Sequence, residues 1–419
     1  MRVDSFKRLS NKNKMRKLTL LSFALAMFVV LACSDDEDNG PAVFDTTLEA
    51  AISNYADIVL ANYEDAKADA AALSTAVNRL IATPSEATMD AAKQAWLTSR
   101  ESYGQTEAFR LYGGPIDDDN GPEGQLNAWP LDESYIDYVT GITKFEDGDE
   151  STNDASNIIN NPTDFATIDK NTLSGLNEDG GETNVSTGYH AVEFLLWGQD
   201  VSIGAGGGER SYTDYVTDGS GTNGNQDRRG QYLMVVSDLI IDDLQSLVDE
   251  WSTGGSFRTT FTSATELENS LESILSGIGK LSKGELAGER MFAAWDLRSK
   301  ENEHSCFSDN THRDIVTNAK GIRNVYLGTY ARTSGVIVSG TSMKDLLTLR
   351  NAALATEIET IINSNVTSAE AIQAPFDQEF LAEPGRTRIQ TSFQGLRNQG
   401  DKIAEAAAEF GFTLDPSGA

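Results

Sequence analysis

One stretch of eleven residues limits this chain more than any other: Gly188-Tyr189-His190-Ala191-Val192-Glu193-Phe194-Leu195-Leu196-Trp197-Gly198. Ala191, Val192, Phe194, Leu195, Leu196 and Trp197 surround its polar residues, so a helix here is apolar nearly all round and is expected inside a core. His190 and Glu193, three apart, then share one helical face. An imidazole and a carboxylate on one face can hold a metal ion or relay a proton. Buried polar groups need partners, and the rest of the chain must supply them. It contains only three histidines, so the other two are the first place to look.

The remaining periodicity is helical. Leu48, Ile52, Tyr55, Val59 and Tyr63 recur at steps of three and four, and Leu73, Val77 and Leu80 extend them to a break at Thr83-Pro84-Ser85. A long helix is expected from about Thr88 to Leu111, closed by Gly113-Gly114-Pro115. Residues 112–187 are rich in Gly, Asn, Asp and Pro and read as long loops with short helical pieces such as Glu133–Val139. A Gly-rich loop from Gly198 to about Asn225 reads as the boundary between halves; it lacks the preceding strand and the Gly-Lys-Ser/Thr of a phosphate loop. Helical periods resume at Tyr232–Trp251 and Leu267–Leu281. They are expected again at Glu285–His304, Asp314–Tyr330, Lys344–Ile362, Arg386–Gln394 and Asp401–Phe410, with Val336–Val338 as one of few strand-like runs. The expected fold is all-α: two helical-bundle domains packed together with long loops, over residues 46–225 and 226–419.

The first 45 residues read differently. A basic region up to Lys17 precedes an apolar run, Leu18–Leu31, too short to span a membrane comfortably. It ends at Val30-Leu31-Ala32-Cys33, which resembles a bacterial lipobox. That resemblance implies a signal peptide over residues 1–32, cleavage before Cys33, and lipidation of its thiol; Met15 is an alternative start. Residues 33–45 form an acidic tether, beginning Ser34-Asp35-Asp36-Glu37-Asp38. It resembles the tag that sends some lipoproteins to the outer face of the outer membrane, so a periplasmic or cell-surface location is expected. Losing seven positive and one negative charge in the leader takes the formal net charge from −31 to −37. Phosphates would be repelled, which argues against nucleic acid as a partner. Cys33 and Cys306 stand far apart and build no disulfide framework.

Two regions could complete the His190/Glu193 pair. Trp96, Arg100, Tyr103, Glu107 and Arg110 fall on one stripe of the Thr88–Leu111 helix. Either the charges satisfy one another as an ion-pair ladder, or Glu107 is a carboxylate presented to His190 and Glu193. The second region is Glu303-His304-Ser305-Cys306-Phe307-Ser308-Asp309-Asn310-Thr311-His312-Arg313-Asp314, which carries both remaining histidines. Thr311 and Asp314 are spaced like a capping box, so His304 is expected to end one helix and His312 to open the next. His304, Ser305 and Asp309 could be caps or site residues. Cys306 reads as a shielded thiol, although a Cys/His catalytic pair also stays open.

With these residues assembled, the chain from about Thr46 onward resembles the imelysin-like family of bacterial envelope proteins. The specific element is Gly188-x-His190-x-x-Glu193. Supporting stretches are Glu107-Ala108-Phe109-Arg110, Trp129-Pro130-Leu131-Asp132, Gly284-Glu285-Leu286-Ala287-Gly288-Glu289-Arg290-Met291 and His304-Ser305-Cys306-Phe307-Ser308-Asp309. The resemblance implies two related helical bundles with these motifs at their interface, a tie to iron uptake, and a classification among metallopeptidases. Zinc peptidases commonly use His-Glu-x-x-His or its inverse. Phe194 stands where the inverse motif needs its second histidine, which weakens the peptidase implication. A catalytic zinc wants about three protein ligands, and the third would come from Glu107, His304 or His312.

Three readings follow. The first is a lipid-anchored protein that binds iron, or an iron chelate, through His190, Glu193 and Glu107, with Arg110, Trp129, His304, Ser305, Asp309 and His312 around them. Its further partners would be the outer membrane and the proteins of an uptake system. The second is a metal-dependent peptidase, with iron replaced by zinc and Glu193 or Glu107 as base. The third is a polar lock between halves that needs no metal.

Overall fold

A computed structural model describes residues 41–140, 157–202, 204 and 206–418. The expected signal peptide, lipobox with Cys33 and tether up to residue 40 lie outside the described residues, as do residues 141–156; residues 41–45, expected to be the end of the tether, are instead the first turn of a helix. α1 (Pro41–Ala82) buries Leu48, Ile52, Tyr55, Val59, Tyr63, Leu73, Val77 and Leu80, the positions picked out by the period. It stops ahead of Pro84, which lacks the N–H needed to continue a helix. α2 (Glu86–Thr106) starts at the same break, where the Ser85 side chain caps the Thr88 N–H and Thr88 returns the bond.

α2 ends earlier than its period implies. The Thr106 hydroxyl bonds back to Tyr103 O, and Glu107–Phe109 tighten into a 3₁₀ turn. Glu107 and Arg110 therefore leave the stripe that Trp96, Arg100 and Tyr103 share. Asp117 accepts from the N–H groups of Leu111, Tyr112, Gly113 and Gly114 and closes the following turn. Short helices α3 (Glu123–Asn127), α4 (Glu133–Ile136) and α5 (Lys170–Leu176) lead to α6 (Gly188–Trp197), in which every residue is buried.

α7 (Gln226–Trp251) begins where the second half was expected, and it packs on α1 and α6. α8 (Ser256–Phe261) and α9 (Leu267–Lys280) follow, and the chain then widens into π turns over Leu281–Phe292 before α10 (Ala293–Leu297). The helix expected to reach His304 thus stops at Leu297; Arg298 adopts a left-handed conformation, which breaks the helix. α11 (Thr311–Leu327) opens next to His312 as expected, but from Asn310 and without a side-chain cap. The Thr311/Asp314 capping box does not form, because Asp314 is drawn inward to Arg100 and His304.

β1 (Thr329–Ala331) and β2 (Ile337–Ser339) make an antiparallel ribbon, the sole β structure among the described residues, and the fold is all-α. α12 (Met343–Glu370) kinks at Asn351, α13 (Phe376–Leu381) is short, and α14 (Gly385–Glu409) is one helix where two were expected. α14 packs on α9, the π segment and α12, while α11 packs on α12 and on α2. The α2–α11 contact brings the first half of the chain against the second. Among the described residues no helix is long and apolar enough to cross a membrane.

One carboxylate on α7 sets a pH dependence of stability. Burial, with Asp242 beside it, pushes Asp243 up to about 7, against an ordinary value of 3.8. Between those values the native state holds a proton that the unfolded chain releases, so stability falls as pH rises through that window. Asp243→Asn should remove this group's share of the slope. The variant is expected to gain about 1–2 kcal/mol at pH 8 and almost nothing at pH 4, read from urea unfolding at the two pH values.

Candidate functional site

α6 carries the first histidine into the core. His190 Nδ1 lies 2.9 Å from Glu193 Oε2, and both side chains are wholly buried. Glu193 Oε1 accepts from Ser308 N at 2.9 Å and from Ser308 Oγ at 2.6 Å. Both oxygens of Glu193 are therefore engaged. Among the described residues His190 Nε2 has no hydrogen-bond partner. Burial pushes Glu193 up to about 8 and drives His190 far below its ordinary range, so the imidazole is neutral.

The second histidine repeats the arrangement. His304 Nδ1 is 2.9 Å from Asp314 Oδ2. Asp314 also accepts from Ser305 Oγ at 2.5 Å and pairs with Arg100 at 3.2 Å. Burial alone would raise the Asp314 carboxyl, but Arg100 and His304 overcome it and hold the group well below the usual carboxylate range. Burial and the Arg290 charge lower His304 to about 4. His304 Nε2 has one long contact, 3.4 Å to Asn127 Nδ2. The two imidazole rings meet edge to face with centroids 4.8 Å apart, and Trp129 packs on His190 at 5.0 Å.

Glu107 stands behind this pair. Its Oε2 accepts from Arg110 Nη1 and from Arg290 Nη2, each at 2.6 Å, and its Oε1 has a 3.4 Å contact with Asn127 Nδ2. Those two guanidiniums outweigh burial and hold Glu107 well below the ordinary range. Arg110 also pairs with Glu123 at 2.7 Å, and Arg290 with Glu285 at 2.8 Å. The Glu285–Arg290 pair spans five residues, a spacing that the π turns place on one face. Arg100 Nη1 donates to Asn127 Oδ1 at 2.6 Å, which orients the amide so that its NH₂ faces both Glu107 and His304.

His304, Asn127, Arg110, Arg290 and Trp129 form one wall of a cavity of ≈ 650 Å³. Most of its remaining lining is acidic, with Glu123, Glu178, Glu182, Glu285, Glu289 and Glu301. His312 and Asp309 are elsewhere. They line a second cavity of ≈ 670 Å³ with Ser308, Glu101 and Arg313, and His312 Nδ1 donates to Asp309 O at 3.1 Å. Ser308 is common to both regions, because it bonds Glu193 and also lines the second cavity. Cys306 is buried, and burial raises its thiol far above the ordinary range, which makes it a poor nucleophile.

Of the residues singled out from sequence, Arg110, Trp129 and His304 line the first cavity, and His190, Glu193, Glu107 and Ser305 join them through the buried contacts described, whereas Asp309 and His312 line the second. Among the described residues no three His, Cys, Asp or Glu side chains converge as a ready-made metal site. Sequence reasoning assigned no role to Asn127, Glu123 or Arg290, and it read Asp314 as a helix cap, not as the partner of His304. Arg290 lies within a quoted stretch, but nothing in its spacing points to Glu107, 183 positions earlier.

The chain is similar to known proteins. The imelysin family model (Peptidase_M75: Imelysin) matches residues 59–403. A protein named iron-regulated protein A from Synechococcus elongatus is 21% identical over 355 residues, covering 83% of this chain and 82% of the relative. A solved structure of an iron-regulated protein A precursor from Parabacteroides distasonis superposes with a TM-score of 0.66 at 21% identity, over 87% of this chain and 95% of that one. An imelysin-like protein from Psychrobacter arcticus gives a TM-score of 0.59 at 14% identity, over 90% of this chain and 98% of that one. With a match that runs through α1, α2, α6, α11 and most of α14, and so through every residue of the histidine cluster, the chain belongs to the imelysin family.

Proposed function

We propose that this is a lipid-anchored cell-envelope protein that binds iron, free or chelated, at the His190/His304 cluster as part of iron uptake. One observation carries the reading: the two histidines are built alike. Each ring turns Nδ1 to a buried carboxyl group and leaves Nε2 unpartnered or weakly held, and the two rings meet edge to face. A carboxylate behind a histidine is the usual means of fixing a metal-binding imidazole. Both rings are neutral near pH 7, as ligation requires.

The donors present fit a metal in part. His190 Nε2 and His304 Nε2 would hold it, with Glu107 Oε1, which shares the Asn127 amide with His304 Nε2 through long contacts only, as the carboxylate oxygen. Imidazole and carboxylate suit iron and zinc alike. Glu193 and Asp314 would orient the rings rather than ligate, and Asn127 would have to give up its long contacts. Bound iron would be held as a Lewis acid in a water-poor pocket, and this chain's residues would only bind and orient. The acidic cavity wall favours approach by cations. The names of the Synechococcus and Parabacteroides relatives add the link to iron, and the lipobox at Cys33 adds the anchor.

The test is calorimetric titration with Fe²⁺, Zn²⁺ and ferric citrate. His190→Ala and His304→Ala should each weaken binding by about 10–100-fold. Affinity equal to wild type in both variants would sink the assignment. If neither variant nor wild type binds metal, and His190→Ala lowers only the melting temperature, the cluster is a polar lock. Chelator-sensitive cleavage of unfolded protein that is lost in Glu193→Gln would instead establish the peptidase reading.

A further inference from the structure

Beside the histidine cluster lies a group of acids that the proposed function does not use. Glu303 is 1% exposed, and neither of its carboxyl oxygens has a hydrogen-bond partner among the described residues. The Thr311 hydroxyl is near enough to act on it but not in bonding geometry. Asp377, at the start of α13, is 5% exposed, and its Oδ1 is likewise without a partner. Asp377 is the charge that acts most strongly on Glu303, and Asp309 comes next. Asp200 acts on all three, and the one nearby lysine, Lys300, is occupied by Asp200 and by the carbonyls of Asp200 and Ser202.

An unpaired buried carboxylate costs several kcal/mol, and native proteins rarely keep one without compensation. Glu303 and Asp377, with three oxygens unsatisfied between them, call for a positive charge or a proton. Among the described residues no arginine is paired with either. The donors are oxygens alone, without imidazole or thiolate, and such a set suits a hard cation with flexible coordination. Asp309, half-buried, lines the ≈ 670 Å³ cavity together with Ala374 and Pro375, which immediately precede α13.

We propose that Glu303 and Asp377 hold a divalent cation of the Ca²⁺ type where the 303–310 loop meets α13, with Asp309 at its entrance. No three acidic side chains converge there, so water and carbonyl oxygens complete the shell. The cation ties α13 to the loop that carries His304, Ser305 and Ser308, and so stabilises the support of both histidines from behind.

The experiment is thermal unfolding of chelator-stripped protein with and without Ca²⁺, with calorimetry of Ca²⁺ binding. Wild type should gain about 3 °C at a Ca²⁺ concentration a hundredfold above Kd. Glu303→Gln and Asp377→Asn, on separate elements, should each melt higher than stripped wild type and lose the response to Ca²⁺. His190→Ala should keep it, which separates this site from the iron site. The proposal is overturned if wild type shows no Ca²⁺-dependent shift, or if both carboxamide variants still show it.

Discussion

Asp314→Ala should lower the unfolding free energy by about 3–5 kcal/mol, the usual cost of stripping one partner from a buried ion pair. Asp314 serves three groups at once: Arg100 at 3.2 Å, His304 Nδ1 at 2.9 Å and Ser305 Oγ at 2.5 Å. Its loss leaves Arg100, 2% exposed, with only the Asn127 amide and the faces of Trp96, Tyr103 and Tyr189, 5.2–5.6 Å away. Those rings attract a cation but cannot replace a carboxylate. The same change frees the His304 ring to turn, so the metal affinity proposed above should fall by about 10–100-fold, even though Asp314 would not itself be a ligand. Urea unfolding and metal titration of one variant read the two effects separately. A stability loss under 1 kcal/mol would mean that Arg100 is neutralised by something other than Asp314.

The helices were legible because their apolar residues recur at 3.6, and α1 shows this most plainly: its buried positions are those of the written pattern. The Thr83-Pro84-Ser85 break was legible for a local reason as well, since proline and a capping serine act within a few residues. The site was legible only where a residue is scarce. With three histidines in the chain, His190 and His304 had to be considered, and they do meet. What sequence could not show was spatial. Arg290 reaches Glu107 from the π segment, and Asn127 from α3 bridges Arg100 and Glu107. Nor did the helical period reveal that Glu107 sits in a 3₁₀ turn, because the departure comes from bonding at Thr106 and not from any breaker. Asp314 was misread as a cap because its position, three residues after Thr311, is right for one. A buried arginine 214 positions away outbids a backbone N–H for its carboxylate.

The glycine of Gly188-x-His190-x-x-Glu193 has a physical reason that its neighbours make explicit, and substituting it should have the other large effect. Gly188 has φ +82°, and a Cβ there would lie 2.5 Å from Leu126 O and 2.7 Å from Gln125 O and Leu126 C. Those are backbone atoms of α3, which cannot swing aside as a side-chain tip can. α3 also ends in Asn127, the residue that faces His304 and Glu107. Gly188→Ala must therefore either push α6 off α3 or distort both, and a loss of about 3–5 kcal/mol is expected. Gly335 provides the control: its φ is +84°, but no atom lies within 4 Å of an added Cβ. Gly335→Ala should cost about 1 kcal/mol, for backbone strain alone. The difference between the two variants in urea unfolding measures the close approach of α6 to α3. Were the two costs equal, contact with α3 would not be what requires glycine at position 188, and the histidine two residues on would owe its placement to the rest of α6.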